Sequence, residues 1–426
     1  MKIAIIGSGI AGMTSAYLLQ QQHEITLFEK NSYIGGHTRT VTVEVQGKEY
    51  AIDTGFIVFN DRTYPLFRKL MREIGVSWQD TEMSFSVRDP ESGLEYNGHN
   101  LNTLFAQRKN LVSPSFWRLI RGILKFNKAA KEAYNSGADL DQLTLGEFLR
   151  QQHIHPSVSE FYLLPMVAAI WSASLQEAEA FPLGFFLRFF NNHGLLNVAD
   201  RPQWATIDGG SSAYVAPLTA SYRERIELNA KIVAVHRQLP ERQAAVTLEF
   251  ADGELRDFDE VVFACHSDEA LALLAQPSAA EQQVLGAIPY QMNEVVLHTD
   301  VRLLPREQRA WASWNYLLHS DDQARTRPSS VSYNMNILQR IQAPEVFCVT
   351  LNNTAAIHPE KILGTYHYAH PVYSVESMQA RAQRELICGQ QHTHYCGAYW
   401  YNGFHEDGVR SAVDVAKRLG VEFVAS

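Results

Sequence analysis

The sequence predicts an α/β fold in which a Rossmann-type dinucleotide-binding domain is assembled from separated segments. An α+β domain with a helical insertion occupies the stretches between them. Three observations carry this prediction. Residues 3–29 read strand, glycine turn, helix, strand and acid in one unit. A buried strand, Phe258-Asp-Glu-Val-Val-Phe-Ala264, returns much later in the chain. The C-terminus closes on a short strand, a glycine, an aromatic loop and a helix over residues 413–419.

In the first unit, Ile3-Ala-Ile-Ile6 suits a buried parallel strand, and Gly7-Ser-Gly9-Ile-Ala11-Gly12 follows at the spacing of a dinucleotide turn. Gly7 permits the tight turn, Gly9 lets backbone N–H groups approach a pyrophosphate, and Gly12 allows close packing of helix on strand. The helix over residues 13–22 points its positive N-terminus at the phosphates. Residues 25–28 form the next strand, and Glu29 at its end is placed to accept hydrogen bonds from a ribose diol. Val41-Thr-Val-Glu-Val45 and Tyr50-Ala-Ile52, joined through Gly47-Lys48, read as a hairpin leading into Asp53-Thr-Gly55-Phe56.

Residues 62–199 read mostly as helices, among them 64–74, stopped by Gly75, and 145–151, with Thr144 as its cap. Two aromatic stretches, 161–171 and 181–190, fit either a helical core or the wall of an apolar tunnel. Residues 105–128 interleave Arg108, Lys109, Arg118, Arg121, Lys125 and Lys128 with Phe116, Trp117, Ile120 and Leu124, without one acid. That pattern fits a solvated face over the core or a peripheral membrane contact. The expected division gives 1–61, 200–270 and 385–426 to the dinucleotide-binding domain. Residues 62–199 form the helical part, and 271–384 the mixed-sheet part, of a substrate domain.

Composition sets outer limits. At 426 residues the chain is too long for one simple core. A net charge of −9 argues against nucleic-acid binding, which needs a basic face. Met1-Lys2 runs straight into a strand, so no signal peptide is expected, and the apolar stretch 161–175 is broken by Pro165 and too short to span a bilayer. Cys265, Cys348, Cys388 and Cys396 have no metal-ligand spacing, so no metal is expected and reduced thiols in a cytoplasmic protein are. A peripheral position at the inner membrane surface is compatible with the basic stretch.

Beyond Glu29-Lys30 comes Gly35-Gly36-His37-Thr38-Arg39-Thr40. A glycine pair six residues past the acid is unusual for NAD domains. Here the sequence resembles the N-terminal signature of the FAD-dependent superfamily that holds flavin amine oxidases, protoporphyrinogen oxidase and phytoene desaturases. That signature reads Gly-Gly-Arg-x-x-Thr/Ser: Thr40 matches, His37 stands at the Arg position, and Arg39 lies two residues on. The resemblance implies that Gly55 and Phe56 approach a flavin ring and that backbone at Lys231-Ile232 holds the adenine. The segment Tyr395-Cys-Gly397-Ala-Tyr-Trp-Tyr401-Asn-Gly403-Phe-His405-Glu406-Asp-Gly408-Val409 resembles the closing motif of the same superfamily. In that motif a helix N-terminus, here near Gly408 and Val409, stabilises the negative charge of reduced flavin. Ala398 replaces an acid frequent after the glycine. The loop lacks the cysteine that attaches flavin in monoamine oxidases, which implies non-covalent FAD. Together with His370-Pro-Val-Tyr373, these details are most similar to bacterial NAD/FAD-binding, amine-oxidase-like proteins associated with cyclopropane-fatty-acid synthases.

There is no second GxGxxG, so no dedicated nicotinamide domain is expected and the substrate itself should reduce the flavin. The expected reaction is hydride transfer from a substrate C–H bond to flavin N5, with Tyr401, His405 and Glu406 as candidate catalytic residues. The expected substrate is apolar, of fatty acyl or isoprenoid type. An amine oxidase acting on a soluble amine and a redox-neutral isomerase using reduced FAD stand as alternatives.

Overall fold

The structure, a computed structural model, describes residues 1–138, 140–197 and 200–423; the boundary expected at residue 199 lies outside them. Lys2–Ile6, apolar and buried after its first residue, is the middle strand of a five-stranded parallel sheet. The strands lie in the order Ile226–Glu227, Glu24–Phe28, Lys2–Ile6, Glu260–Phe263, Thr393–Tyr395. Numbered along the chain this is 3-2-1-4-5, the doubly wound order, and its direction reverses between Lys2–Ile6 and Glu260–Phe263. A ligand crevice belongs at the carboxyl ends of those two strands.

Two layers cover this sheet. On one, the helix Ile10–Leu19 packs against the C-terminal helix His405–Arg418. A Cβ at Gly408 would lie 2.7 Å from the Ile10 side chain, so the glycine lets the two helices touch. The other is a three-stranded antiparallel sheet, Ile232–Arg237, Val246–Phe250 and Leu255–Phe258, whose Phe250 and Phe258 meet Phe28 edge-on. Glu281 ties the layers: it accepts from Arg237 Nη1 (2.6 Å), Tyr395 OH (2.6 Å) and the Ser278 N–H (2.7 Å). A buried ion pair is tolerated only when such bonds complete it.

The second sheet has seven strands, in the order Ile362–Pro371, Tyr290–His298, Cys348–Leu351, Val331–Asn334, Trp314–Leu317, Phe85–Arg88, Glu95–Asn97. The last two lie in the 62–199 stretch, which is mostly helical as expected. They are four and three residues long, too short for period-two alternation to stand out, and Phe85–Arg88 joins through parallel pairing with Trp314–Leu317. The helices that do fill the stretch include Pro65–Glu73, Pro114–Asn135, Leu145–Gln151, Leu164–Trp171 and Leu183–Asn192. Thr144 caps Leu145–Gln151 reciprocally with Glu147, as its spacing predicts. The C-terminal helix begins at His405, earlier than expected, because the Asp407 carboxylate accepts the Phe404 N–H at 2.9 Å and fixes the cap there. Among the described residues no helix is long and apolar enough to cross a membrane.

His298, fully buried in the seven-stranded sheet, accepts the Asp300 N–H at Nδ1 (3.0 Å), which leaves Nε2 to donate to Thr350 Oγ1 (2.7 Å). Burial lowers its pKa from 6.5 to about 4, against the smaller opposing pull of Asp300. The unfolded chain therefore takes up a proton near pH 6.5 that the native state refuses, and stability falls as the pH drops from 6.5 toward 4. Between pH 7 and pH 5 wild type should lose about 2 kcal/mol more than His298→Gln in urea unfolding. Equal losses in the two proteins would contradict this assignment.

Candidate active site

A cavity of about 930 Å³ opens at the carboxyl ends of the parallel strands and extends to the inner face of the seven-stranded sheet. Its first end is built by the glycine turn. Gly7 has φ 105°, and a Cβ there would sit 2.9 Å from the backbone of Ala264 and Cys265, so the turn lies directly against the neighbouring strand. A Cβ on Gly12 would meet the Gly7 carbonyl oxygen at 1.8 Å. At Gly9 a Cβ would meet nothing within 4 Å, because that position faces the cavity. Gly7 thus sits tight against the next strand, Gly9 is open to the cavity and Gly12 packs closely on the turn.

Glu29 sits at the same end. Its carboxylate accepts from the Ser8 N–H (3.1 Å) and hydroxyl (2.6 Å), and from the Asn31 N–H (2.9 Å) and amide (2.7 Å). The two backbone donors are fixed, whereas the Ser8 and Asn31 side chains can turn away in favour of a diol. Lys30 and Ile232 complete this end of the lining.

The Gly35-Gly36 pair folds over the turn. Gly35 N–H donates to Ser8 O at 3.0 Å, and a Cβ on Gly36 would come within 3.1 Å of Gly9 Cα. Gly55 lies against the His37 carbonyl, 2.0 Å from where its Cβ would be, and the Phe56 N–H donates to that carbonyl at 2.8 Å. Gly7, Gly9, Ala11, Glu29, Lys30, Gly35, Gly36, His37, Gly55, Phe56, Ile232 and Gly397 all line the cavity.

Gly12, Thr38, Arg39, Thr40, Gly408 and Val409 do not. Arg39 is held between Tyr33 and Tyr366, its guanidinium carbon 4.7 and 5.0 Å from their ring centres, so it does not replace the missing arginine. Thr38 bonds Tyr214 and His405, and Thr40 bonds Asp53, making both struts of the wall. The Gly408 N–H is already satisfied by Phe404 O at 3.1 Å. In a helix beginning at His405, the N–H groups of the first turn, at His405 and Glu406, are those without intrahelical acceptors, which corrects the expectation placed on Gly408 and Val409.

Of the three expected catalytic residues only His405 lines the cavity. It stacks on Phe56 (ring centres 3.6 Å apart), its Nε2 lies 2.9 Å from Thr38 Oγ1, and burial lowers its pKa to about 3. His405 is therefore neutral and clamped across the neutral pH range, which removes the expected acid–base switching. Glu406 accepts the N–H groups of Leu66 (3.0 Å) and Phe67 (2.8 Å), capping the helix Pro65–Glu73. Tyr401 donates to Asp414 at 2.5 Å. Both are committed outside the cavity.

A group of rings not singled out as site residues surrounds His37: His370 at 5.5 Å, His266 at 5.9 Å and Tyr368 at 5.2 Å between centres. Burial, reinforced by the neighbouring histidines, holds His37 well below its usual pKa, and its Nε2 has no partner among the described residues. His370 Nδ1 is 3.0 Å from the hydroxyl of Ser172, which closes the helix Leu164–Trp171 in a left-handed conformation, φ 55°. Such a conformation costs about 1 kcal/mol or more in a non-glycine residue, and persists where surrounding contacts demand it. His266 follows a parallel strand at the switch point, a position that strand order alone flags; Tyr368 and His370 share one face by period-two alternation.

The far end is an apolar chamber. Tyr162, Met166, Ile170, Trp171 and Phe189 form one wall; Phe85, Trp314, Tyr333 and Leu351 of the second sheet form another. The two aromatic stretches therefore divide between both readings, since Phe181, Phe186 and Phe190 belong to the core. A π turn, Ser159–Leu163, carries Tyr162 in the wall. In the lining, His37 Nε2, Tyr373 OH, Tyr399 OH and Trp314 Nε1 are buried and have no partner among the described residues. Buried polar atoms rarely stay unpaired, so a bound group with its own polar edges fits this cavity.

Gly9→Val tests the turn directly, since its Cβ meets no protein atom within 4 Å and the position lines the cavity. The variant should keep the unfolding midpoint of the ligand-free protein and lose bound dinucleotide by at least about a hundredfold. Retention of stoichiometric dinucleotide would contradict the placement.

Known proteins place this architecture. Several solved structures share the fold over nearly the whole chain. A fatty acid isomerase from P. acnes aligns with TM-score 0.68 and 17% identity, covering 99% of this chain and 98% of its own. A cyclohexylamine oxidase from Brevibacterium oxydans aligns with TM-score 0.68 and 15% identity over 98% and 99%. A zeta-carotene desaturase from Synechocystis is 28% identical over 169 residues, 35% of this chain and 33% of that one. The matched region spans a third or less of the carotene desaturases first in similarity. The model of the family described as flavin containing amine oxidoreductase matches residues 10–419. With that match reaching from the first helix to the last, the chain belongs to the flavin containing amine oxidoreductase family.

Proposed function

We propose that the protein binds FAD non-covalently and oxidises an apolar substrate of fatty acyl or isoprenoid type, with hydride passing from a substrate C–H bond to flavin N5. One observation carries the reading: a single cavity joins the dinucleotide turn at Gly7 and Gly9 to the chamber walled by Met166, Ile170 and Leu351. A cofactor and an apolar chain can share that space. The relatives lean the same way, since the names carried by matched proteins include a zeta-carotene desaturase and a 4,4'-diapolycopen-4-al dehydrogenase.

In this reading Gly7, Gly9 and Ala11 hold the diphosphate on backbone N–H groups and Glu29 holds the adenosine ribose. When bound, the flavin supplies the hydride acceptor. His37, neutral and with an unpartnered Nε2, offers the cofactor a hydrogen-bonding nitrogen in place of a fixed positive charge. The first turn of the helix His405–Arg418 contributes its positive end, and His405 holds Phe56 in place by stacking. Met166, Ile170 and Phe189 exclude water around the reacting C–H bond. No charged side chain among these walls would select an amine.

Anaerobic titration of the oxidised enzyme tests the proposal. Long-chain unsaturated acyl or polyene isoprenoid substrates should bleach the visible flavin band, with one oxidised product per flavin. Bleaching by simple amines alone would establish the amine oxidase reading. Conversion of an acyl chain only after prior flavin reduction, without net electron transfer, would establish the isomerase reading. Either outcome overturns the proposal.

A further inference from the structure

The helix Pro114–Asn135 and the segment before it present an outer face that none of the described residues covers. Phe116, Leu119, Gly122 and Phe126 turn inward, whereas Trp117, Arg121, Leu124 and Lys128 follow one another on the outer side. Leu101 is 75% exposed, Val112 84% and Leu124 51%. The Trp117 indole N–H donates to Leu111 O at 2.9 Å, which fixes the ring where the turn Arg108–Val112 enters the helix. Residues 98–131 contain seven lysines and arginines and no acid, in a chain of net charge −9. Among the described residues only Lys128 pairs with a carboxylate, Glu132 at 3.9 Å.

Apolar tips ringed by cations meet both requirements of an interfacial surface. The tips gain by burial at the acyl boundary, and the cations gain by proximity to anionic headgroups. A second copy of this face would bring like charges together. No groove shapes the face for a single peptide, since its apolar residues spread over a helix, a turn and Leu101.

The position matters as much as the chemistry. Phe116, on the inner side of the helix, packs against Tyr96 with ring centres 5.8 Å apart. Tyr96 and Gly98 both line the cavity, and Gly98 is also exposed, so the cavity reaches the surface beside Leu101. Tyr96 OH donates to Phe161 O at 2.5 Å, next to Tyr162 of the chamber wall.

The geometry points to residues 101–128 as a docking face for an anionic lipid bilayer. Docked there, the enzyme holds the Gly98 opening against the acyl layer, and an apolar substrate enters the chamber past Tyr96 without crossing water. The entry route rests on the proposed apolar substrate; the docking itself does not.

Flotation of the flavin-loaded enzyme with vesicles tests the docking. Vesicles of phosphatidylglycerol and phosphatidylcholine should carry the protein, and added salt should weaken the binding. Pure phosphatidylcholine should carry little. Arg118→Glu/Arg121→Glu and Val112→Asp/Leu124→Asp should each weaken binding at least about tenfold. Flavin content and unfolding midpoint should stay unchanged, since all four side chains are exposed. No binding to the anionic vesicles, or binding indifferent to these variants, would overturn the proposal. So would a dimer in light scattering that Val112→Asp/Leu124→Asp splits, because a second copy would then cover the face. Turnover of a detergent-dispersed apolar substrate without vesicle binding would sink the docking alone. Vesicle binding with no apolar turnover would sink the substrate proposal alone.

Discussion

The backbone of Gly7 lies against the backbone of Ala264 and Cys265, with no room for a Cβ between them. Everything at the site follows from that contact. The Gly7 N–H donates to Phe28 O and the Ala264 N–H to Ile6 O, both at 2.8 Å, so the turn is pinned between the two strands flanking Lys2–Ile6. The reversal of strand order falls at this point, and the crevice it creates is the mouth of the cavity. Gly35-Gly36 then stacks on the turn, and Gly55 on His37. Three segments distant in sequence become a continuous backbone surface. A dinucleotide can lie on such a surface because few side chains stand in its way.

Further along, three histidines at the cavity are held uncharged by burial. His37, His370 and His405 are all pushed below their usual pKa, mainly by burial, and stay neutral. Carboxylates near the loop are spent on structure: Glu406 caps a helix and Asp407 caps its own. In the proposed reaction the neutral groups would act by alignment and by excluding water.

Features written in consecutive residues were legible before any coordinates. The glycine turn, the strand to Glu29, the hairpin and the Thr144 cap all depend on neighbours a few residues away. The class of cofactor was legible through the resemblance that Gly35-Gly36 and its neighbours carry. What stayed hidden depends on long-range pairing. Phe85–Arg88 is a strand only because Trp314–Leu317 lies beside it. His266 and His370 reach His37 from two different sheets. Tyr401 and Glu406 sit in the right loop, yet the helix starting at His405 turns them toward Asp414 and toward the helix Pro65–Glu73. Sequence places a residue near a site, but the cap of one helix decides which side chains face it.

The central claim is that cofactor and apolar substrate occupy two ends of one cavity. Ile170→Trp, which fills the chamber far from Gly9, separates the two ends. The account predicts full FAD occupancy with an unchanged unfolding midpoint, and anaerobic flavin reduction by an acyl or polyene substrate slowed at least about a hundredfold. Loss of FAD from this variant, or reduction at the wild-type rate, would contradict it.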